Sequence, residues 1–172
     1  MPGLRLSQMS PGSEASIGLL ADHPDLVAQV GEMRWREWGR GETSREDWID
    51  VTARESGRVD LPVTLVALDD SGKALGAVGL DVTDDALTDE ERRSRQPWLV
   101  GLVVRSDRRR EGVGRRLVAA LENLSRERGY PVVWVATGDD AVAFYQRCGW
   151  TLHEQLVLTK GGWTNAVLAR PL

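Results

Sequence analysis

The sequence predicts an α/β fold with the element order β-α-α-β-β-β-α-β-α-β-β. Two observations predict it. Short apolar runs rich in Val and Leu alternate with segments of 3.6-residue periodicity, which is typical of buried strands joined by amphipathic helices. Glycine-containing turn signals separate two pairs of these runs, while a helix separates another pair, so antiparallel and parallel neighbours are both expected. We therefore expect a mixed sheet of about seven strands flanked by helices.

The composition indicates one cytoplasmic domain that spans residues 1–172 and has a mass of 19.0 kDa. Residues 1–14 carry Ser, Gly and Pro without a period, and we expect them to form a mobile arm. The net charge of −4 and a pI near 5.3 argue against a nucleic-acid binder. No apolar run is long enough to span a membrane, and no charged-then-apolar leader is visible.

Cysteine and histidine usage excludes two further classes of protein. Cys148 is the lone cysteine, so an internal disulfide framework is not possible. His23 and His153 are isolated, and no cluster has zinc-like spacing, so no metal is expected. Cys148 is interpreted as a buried small residue and not as a nucleophile, because no paired histidine is evident.

The N-terminal half is expected to contain three strands and two helices. Asp22 can cap the first helix, and Asp69-Asp70-Ser71-Gly72-Lys73 is a hairpin turn signal. Thr83–Gln96 lacks an apolar stripe and is interpreted as a surface connection. The expected bounds are Ala15–Leu20, Pro62–Leu68 and Ala74–Val82 for the strands, with helices from Pro24 to about Trp38 and from a cap at Thr43 or Ser44 to about Ser56.

The C-terminal half is expected to contain four strands and two helices. Gly129 is the expected residue after the longer helix, and Lys160-Gly161-Gly162 is the expected turn of a final hairpin. The expected bounds are Trp98–Val104, Pro131–Ala136, Trp150–Thr159 and Trp163–Arg170 for the strands, with helices over Gly112–Arg128 and from Asp139 through Arg147.

The stretch Trp98–Leu124 has the build of an anion-binding site. A buried strand is followed by a basic turn, Arg105–Arg110, and then by a helix. The first turn of a helix leaves about four backbone N–H groups without partners and carries partial positive charge. Gly112 and Gly114 let a bulky anion approach that backbone. The spacing matches neither the Rossmann fingerprint nor a P-loop, which leaves an R-x-x-G-x-G turn for a phosphate-bearing ligand.

Arg109-Arg110-Glu111-Gly112-Val113-Gly114 resembles the acyl-CoA signature of the GNAT superfamily of N-acetyltransferases, and the element order over roughly residues 15–170 is similar too. The resemblance implies the GNAT fold, with a splayed central parallel pair that admits the acyl-pantetheine arm. It also implies acetyl-CoA as co-substrate, held by its pyrophosphate at the turn and by its pantetheine along the preceding strand. The positions implied to bind it are Leu102, Val103, Val104, Arg109, Arg110, Gly112, Val113, Gly114 and Arg115.

The segment Ala141–Trp150 resembles the family's A-x-x-x-Y-x-x-x-G-[FW] segment, in which the tyrosine faces the thioester sulfur. The resemblance implies that Tyr145 is the catalytic acid. A departing thiolate needs a proton, and a phenol with an ordinary pKa of about 10 can supply it when it is suitably placed. The alternative is that Tyr145 packs with its hydroxyl toward solvent.

The chain departs from the family at two positions. Family members often have an asparagine that contacts the cofactor where this chain has Gly138, and many have a catalytic glutamate in the stretch that here reads Leu99-Val100-Gly101. A base is desirable because an alkyl ammonium with a pKa of about 10 is free amine in only about one part in a thousand at neutral pH. The candidates, none of them favoured, are Glu37, Asp81 and Glu154.

Tryptophan accounts for seven of the ten aromatic residues. Trp35, Trp38, Trp48 and Trp98 could line an acceptor cleft for a flat or apolar amine. The three-residue spacing of Trp35 and Trp38 is instead typical of core packing and favours that interpretation for the pair.

The sequence therefore predicts an N-acetyltransferase that moves an acetyl group from acetyl-CoA to an amine by direct transfer. It does not identify the acceptor, which is a small-molecule or peptide amine. One alternative is a non-catalytic acyl-CoA-binding sensor or partner module, which the missing carboxylate and Gly138 keep open. A nucleic-acid binder that uses Arg105–Arg116 is opposed by the overall acidity. No membrane partner is expected, and a homodimer is left open.

Overall fold

The structure is a computed structural model, and it describes residues 15–39, 41–85, 87–88, 90, 94–157 and 164–172. The helices in these residues are α1 Val27–Trp38, α2 Arg45–Arg54, α3 Val113–Glu127 and α4 Asp139–Arg147. The strands are β1 Ser16–Leu19, β2 Val63–Leu68, β3 Ala74–Asp81, β4 Trp98–Val104, β5 Val132–Gly138, β6 Thr151–Val157 and β7 Thr164–Pro171. The predicted element order is confirmed.

Local signals in the sequence explain most of these bounds. Ser44 caps α2 through a capping box with Asp47, in which each residue's side chain accepts a hydrogen bond from the other's backbone N–H. Gly129 follows α3 with a φ of 78°, as expected for the residue after a helix. The expected arm at residues 1–14 and the turn at Lys160-Gly161-Gly162 lie outside the described residues.

The structure corrects two expectations in the N-terminal half. Asp22 does not cap a helix, because its carboxylate pairs with Arg58, and a 3₁₀ turn from Pro24 to Leu26 precedes α1. The connection after β3 is not entirely a surface segment, since Leu87 is buried against Trp98.

All seven strands form one mixed sheet, in the spatial order β1-β2-β3-β4-β5-β7-β6. Alternate residues of a strand point to opposite faces, and β2 shows how this builds two cores. Val66 packs in a cluster with residues of the α1 side, whereas Leu65 and Ala67 pack in a larger cluster with residues of α3 and with Tyr145. Helices therefore cover both faces. No helix in the described part of the chain is long and apolar enough to cross a bilayer.

The central strand pair opens in the middle of the sheet. Within the described residues, β4 and β5 are the only parallel pair, and their register consists of Trp98 opposite Trp134 and Leu99 opposite Val135. Beyond these two positions the strands separate, so the splay that the resemblance implied is confirmed. The strand order of the described residues places no other strand between them, so a slot opens between β4 and β5.

A bulge in β4 lies where the slot begins. Val100 is opposite Gly79 on β3, but Val103 is opposite Ala77, so β4 contains one extra residue over this step. Gly101 lies within the bulge and has a φ of 58°, a left-handed conformation that glycine adopts without strain. The bulge therefore depends on a residue without a side chain.

Candidate functional site

A cavity of about 510 Å³, large enough for a small ligand, lies between the end of β4 and the start of α3. We call it the cradle cavity. Its walls combine apolar strand residues with a group of arginines and the glycines of the helix start. The sequence-predicted cofactor positions that line it are Leu102, Val103, Val104, Arg109, Arg110, Gly112, Val113, Gly114 and Arg115. The structure thus brings every one of them to a single cavity.

The loop before α3 is shaped to present backbone N–H groups. Arg110 has a φ of 65° and Gly112 a φ of 80°, so the chain turns sharply twice before the helix begins at Val113. Among the described residues, no side chain caps the helix and its first turn contains no acidic residue. The N–H groups of that turn and the positive end of the helix dipole therefore stay available for an anion.

An ion pair with Glu37 of α1 holds Arg109 at the cradle cavity. Its Nε donates to the Val104 carbonyl oxygen at 3.2 Å, and its Nη2 lies 2.6 Å from Glu37 Oε2. Glu37, one of the three candidate bases, is therefore paired with an arginine of the cradle. It lines the cradle cavity from α1.

Tyr145 lies in the core beside the cradle cavity and is 4% exposed. Its ring contacts Phe144, with centroids 5.1 Å apart, and Trp150 at 5.5 Å. Burial raises the pKa of the Tyr145 phenol well above its ordinary value, and the Cys148 thiol and the Asp84 carboxylate add to that rise. Tyr145 therefore stays protonated at neutral pH, and its burial does not fit the alternative interpretation, in which the hydroxyl faces solvent.

A second cavity, of about 300 Å³, adjoins the β4 bulge on the face of the sheet that α1 and α2 cover. We call it the acidic cavity, because carboxylates form much of its wall. Trp38 and Trp48 form another part, with ring centroids 5.9 Å apart. The remaining lining residues are Arg34, Glu55, Asp81, Thr83, Asp84, Asp85, Val100 and Gly101.

Among the three candidate bases, Asp81 is the one that lines the acidic cavity. It is the last residue of β3, and its Oδ1 accepts a hydrogen bond from the Val82 N–H at 2.6 Å. Burial raises the pKa of the Asp81 carboxyl, although backbone N–H groups at Val82 and Thr83 oppose the rise. Glu154 lies elsewhere, on β6, where it pairs with Arg95.

The tryptophans divide between the two interpretations offered by the sequence. Trp98 is fully buried in the core, and its Nε1 donates to the Arg95 carbonyl oxygen at 2.6 Å. Trp35 donates to the Thr43 carbonyl oxygen, so it supports the loop before α2. Trp38 is 48% exposed and lines the acidic cavity. The core-packing interpretation is therefore wrong for Trp38, because the helix turns its ring toward α2 and solvent.

Arg34 is the residue of this region that the sequence analysis missed. It is 1% exposed, its Nη1 lies 2.7 Å from Glu55 Oε2, and it reaches the floor of the acidic cavity. A signal was present, since Arg34 falls four residues after Val30 on the buried stripe of α1. Periodicity within α1 does not show which residues of other segments, here Thr52 and Glu55, pair with Arg34.

Among the described residues, no group of three or more His, Cys, Asp or Glu side chains could hold a metal ion. Cys148 is a free, half-buried thiol whose pKa is raised by burial, which fits a packing role and not that of an activated nucleophile.

Comparison with known proteins bears on both the fold and the family. The model of the acetyltransferase (GNAT) family matches residues 27–150. The search of curated protein sequences finds no match. At the identities given below, the likeness to solved structures shows the fold alone.

Three solved structures illustrate the likeness. An aminoglycoside 6′-N-acetyltransferase complexed with coenzyme A is 20% identical over 91% of this chain and 96% of that chain, with a TM-score of 0.67. The aminoglycoside 6′-N-acetyltransferase from Enterococcus faecium is 21% identical over 91% and 96%, with a TM-score of 0.66. The ribosomal-protein-S18-alanine N-acetyltransferase from Escherichia coli is 20% identical over 91% and 93%, with a TM-score of 0.64.

Proposed function

This chain belongs to the acetyltransferase (GNAT) family, and from that premise we propose how its two cavities divide the reaction between them. As a family member it transfers an acetyl group from acetyl-CoA to an amine. In our proposal the cradle cavity binds acetyl-CoA, the acidic cavity binds the acceptor amine, and transfer is direct. The observation that carries it is that consecutive stretches of β4 line the two cavities. Val100 and Gly101 face the acidic cavity, and Leu102–Val104 face the cradle cavity.

The cradle cavity suits the two chemically different ends of coenzyme A. Its arginines and the uncapped start of α3 match the pyrophosphate, which carries charge and many acceptor oxygens. The edge of β4 beyond Leu99 is free of β5, so its backbone groups can bond the amides of the pantetheine arm. When bound, acetyl-CoA supplies a thioester whose carbonyl carbon is the electrophile.

The acidic cavity suits a small cationic acceptor. Asp81, Asp84 and Asp85 line it, and Arg34, the arginine among its described lining residues, is paired with Glu55. Carboxylates near a partly enclosed wall attract ammonium groups more strongly than they would in bulk water. Trp38 and Trp48 add flat surfaces over which a cation can lie. A volume of about 300 Å³ fits a small molecule better than a folded peptide segment.

Two groups of the chain handle protons in the proposed reaction. Asp81 accepts the proton that the acceptor ammonium must lose, directly or through one water, because its carboxylate lines the acidic cavity. The free amine then attacks the thioester carbonyl carbon, the carbon–sulfur bond breaks, and Tyr145 donates its phenolic proton to the departing thiolate. We also place the protein in the cytoplasm, a proposal that its single cysteine supports.

Amines of graded charge test the acceptor assignment. We expect kcat/KM for acceptor acetylation to rise from a monoamine to a diamine and then a triamine of similar chain length. We also expect the advantage of the triamine to shrink as salt increases, because salt screens its attraction to the carboxylates. Equal use of a zwitterionic amino acid and a triamine, at every salt concentration, would overturn a cationic acceptor and leave the cofactor assignment standing.

A further inference from the structure

The buried face of α3 includes a carboxylate that the proposed reaction does not use. Glu122 falls four residues after Val118 on the stripe that packs into the core, and it is 7% exposed. Its neighbours on that stripe include the apolar residues Leu117 and Leu121. A carboxylate at such a position is stable only where polar partners replace the water that it has lost. The partners of Glu122 therefore indicate what its carboxylate does.

Two residues from other elements contact the Glu122 carboxylate. Trp150, which lies between α4 and β6, donates from its Nε1 to Glu122 Oε1 at 2.8 Å. Arg170 of β7 places its Nε 3.2 Å from Glu122 Oε2, as an ion pair without the alignment of a hydrogen bond. Arg170 also donates from Nη1 to the Gly149 carbonyl oxygen at 3.0 Å. The carboxylate thus joins α3 to the segment that follows α4.

Trp150 is in turn a direct neighbour of Tyr145. Their ring centroids lie 5.5 Å apart, and the Trp150 backbone N–H donates to the Tyr145 carbonyl oxygen at 3.0 Å. Both side chains are buried in the same core cluster. Side chains in a close-packed core do not move independently of each other. A rotation of the Trp150 indole would therefore displace the Tyr145 phenol.

The hydrogen bond to Glu122 selects one orientation of the Trp150 indole. The torsion that turns a tryptophan ring about its last side-chain bond is broad, so the torsion alone permits more than one orientation. In the orientation observed, the buried indole N–H has an acceptor. A rotated ring would leave this donor without one, which buried polar groups rarely tolerate. Glu122 thus fixes the ring against which Tyr145 packs.

We propose that Glu122 is a positioning residue: its carboxylate fixes the indole of Trp150, and the indole fixes the phenol of Tyr145 for proton transfer to the departing thiolate. Glu122 acts through Trp150 and does not itself transfer the proton. The proposal rests on the proposed role of Tyr145 as the acid. Position matters for this step, because a misplacement of about 1 Å by a change far from the chemistry can cost about 100-fold in rate.

Two substitutions of similar size separate the hydrogen bond of Glu122 from its charge. Glu122→Met removes the hydrogen-bond acceptor and should lower kcat roughly tenfold, with little change in KM for acetyl-CoA. Glu122→Gln loses the charge but keeps an oxygen that can accept from Trp150, so it should retain most of kcat. A role confined to the ion pair with Arg170 would instead affect both variants alike. Glu127→Met, at an exposed position of the same helix, is the control and should keep the wild-type kcat.

A double-mutant cycle with Tyr145→Phe assigns the effect to the acid. If Glu122 acts through Tyr145, Glu122→Met lowers kcat in the enzyme that has the phenol and lowers it no further in Tyr145→Phe. A general distortion of the site would lower kcat by the same factor in both backgrounds. That result would overturn the proposal.

The position of the phenol can also be followed without turnover. The chain has two tyrosines, and in a protein with isotope-labelled tyrosine the Tyr145→Phe variant identifies which ring signals in the NMR spectrum belong to Tyr145. Glu122→Met should shift or broaden the Tyr145 signals and leave those of Tyr130 in place. Glu122→Gln should leave both near their wild-type positions. Unchanged Tyr145 signals in a folded Glu122→Met protein would show that Glu122 does not position the phenol.

Failure of this proposal and failure of the proposed function are separate results. A slow Tyr145→Phe enzyme, together with Glu122→Met at the wild-type rate, overturns the positioning role and leaves the acid in place. A Tyr145→Phe enzyme at the wild-type rate removes the acid, and the positioning role with it. If Glu122→Met does not fold, Trp150→Phe replaces it, because it removes the donor of the same hydrogen bond. A wild-type kcat in folded Trp150→Phe then contradicts the proposal.

Discussion

Tyr145 and Asp81 are the two residues whose surroundings set their protonation for a reaction. Burial raises the pKa of both groups, and the consequence differs because their tasks differ. A general acid must hold its proton until the leaving group needs it, which a raised phenol pKa ensures. A general base works better when its pKa approaches the operating pH, and burial moves the Asp81 carboxyl in that direction.

We predict that Tyr145→Phe lowers kcat by roughly 100-fold, within the usual range for loss of a general acid, and changes KM for acetyl-CoA little. The change keeps the ring that contacts Phe144 and Trp150, so the melting temperature should stay near that of the wild type. Steady-state kinetics with a good amine measure both constants. Tyr130→Phe, at the chain's other tyrosine, is the control and should keep wild-type kcat. A Tyr145→Phe enzyme as fast as the wild type would remove the acid role.

We predict that Asp81→Asn lowers kcat/KM for the acceptor by roughly 100-fold and leaves acetyl-CoA affinity unchanged. The wild-type acidic limb should lie above the pH range in which an ordinary aspartate titrates, because the raised pKa means that the base form is lost at higher pH as pH falls. The variant should lose this limb, which a pH profile of kcat/KM shows. Asp50→Asn, on the exposed side of α2, should keep it.

The same substitution has an opposite effect on stability. Because the pKa of Asp81 is raised in the folded state, folding favours the protonated carboxyl over the carboxylate. The stability that the protonated carboxyl contributes is therefore lost as pH rises through the folded-state pKa. Asp81→Asn should therefore melt at the wild-type temperature or above it at neutral pH. A marked fall in melting temperature would show that Asp81 has a structural role instead.

At the scale of elements, the cradle depends on how α3 begins. A Cβ on Gly114 would meet Phe144 Cζ and Val104 Cγ2, each at 3.5 Å, which is ordinary contact. The position thus admits a Cβ without a clash, and Gly114 lines the cradle cavity. We predict that Gly114→Glu abolishes measurable acetyl-CoA binding by calorimetry, because the new carboxylate lies where the pyrophosphate binds. The variant should fold, since a helix start tolerates glutamate.

Two controls separate the charge of this substitution from its size. Gly114→Ala should retain most of the affinity, and Gly114→Gln should lose less than Gly114→Glu because it is similar in size and uncharged. Unchanged cofactor affinity in a folded Gly114→Glu protein would show that the cradle cavity is not the pyrophosphate site.

The paired replacement of Arg109 and Arg110 by alanine tests the basic turn. We predict weaker binding of coenzyme A and a flatter dependence of that binding on salt, because exposed charge pairs are the ones that salt screens. Dephospho-coenzyme A, which lacks the 3′-phosphate, should lose less on the double replacement than coenzyme A does. Equal losses for the two ligands would show that these arginines do not reach that phosphate. Arg126→Ala, at the far end of α3, is the control.

The elements were predictable from the sequence because their signals are local. The apolar run of β4, the glycines of the cradle and the capping residue Ser44 each act within a few positions of the chain, and the structure has them where they were expected. The contacts between distant elements were not predictable in this way. The ion pair between Glu37 on α1 and Arg109 in the cradle loop joins residues that are 72 positions apart, and neither segment shows it alone. The pairing of Arg34 with Glu55 likewise depends on how α2 packs against α1.

At the scale of the whole molecule, the sheet lies between two pairs of helices, α3 and α4 on one face and α1 and α2 on the other. We propose that the anionic cofactor binds among the arginines of the cradle cavity and the cationic acceptor among the carboxylates of the acidic cavity. The sheet is open where β4 separates from β5 beyond Leu99, and the bulge at Gly101 lies at the same place. We propose that the acetyl group passes between the two cavities at this place.

Thiol release from acetyl-CoA, measured with and without a polyamine, tests acetyl transfer. We expect release that requires the amine, saturates with it, and yields one acetylated amine for each thiol released. Release should fall in Tyr145→Phe while acetyl-CoA binding does not. Tight binding of acetyl-CoA by the folded wild type, with no thiol release in the presence of any amine, would rule out acetyl transfer and indicate a binding module that does not turn over.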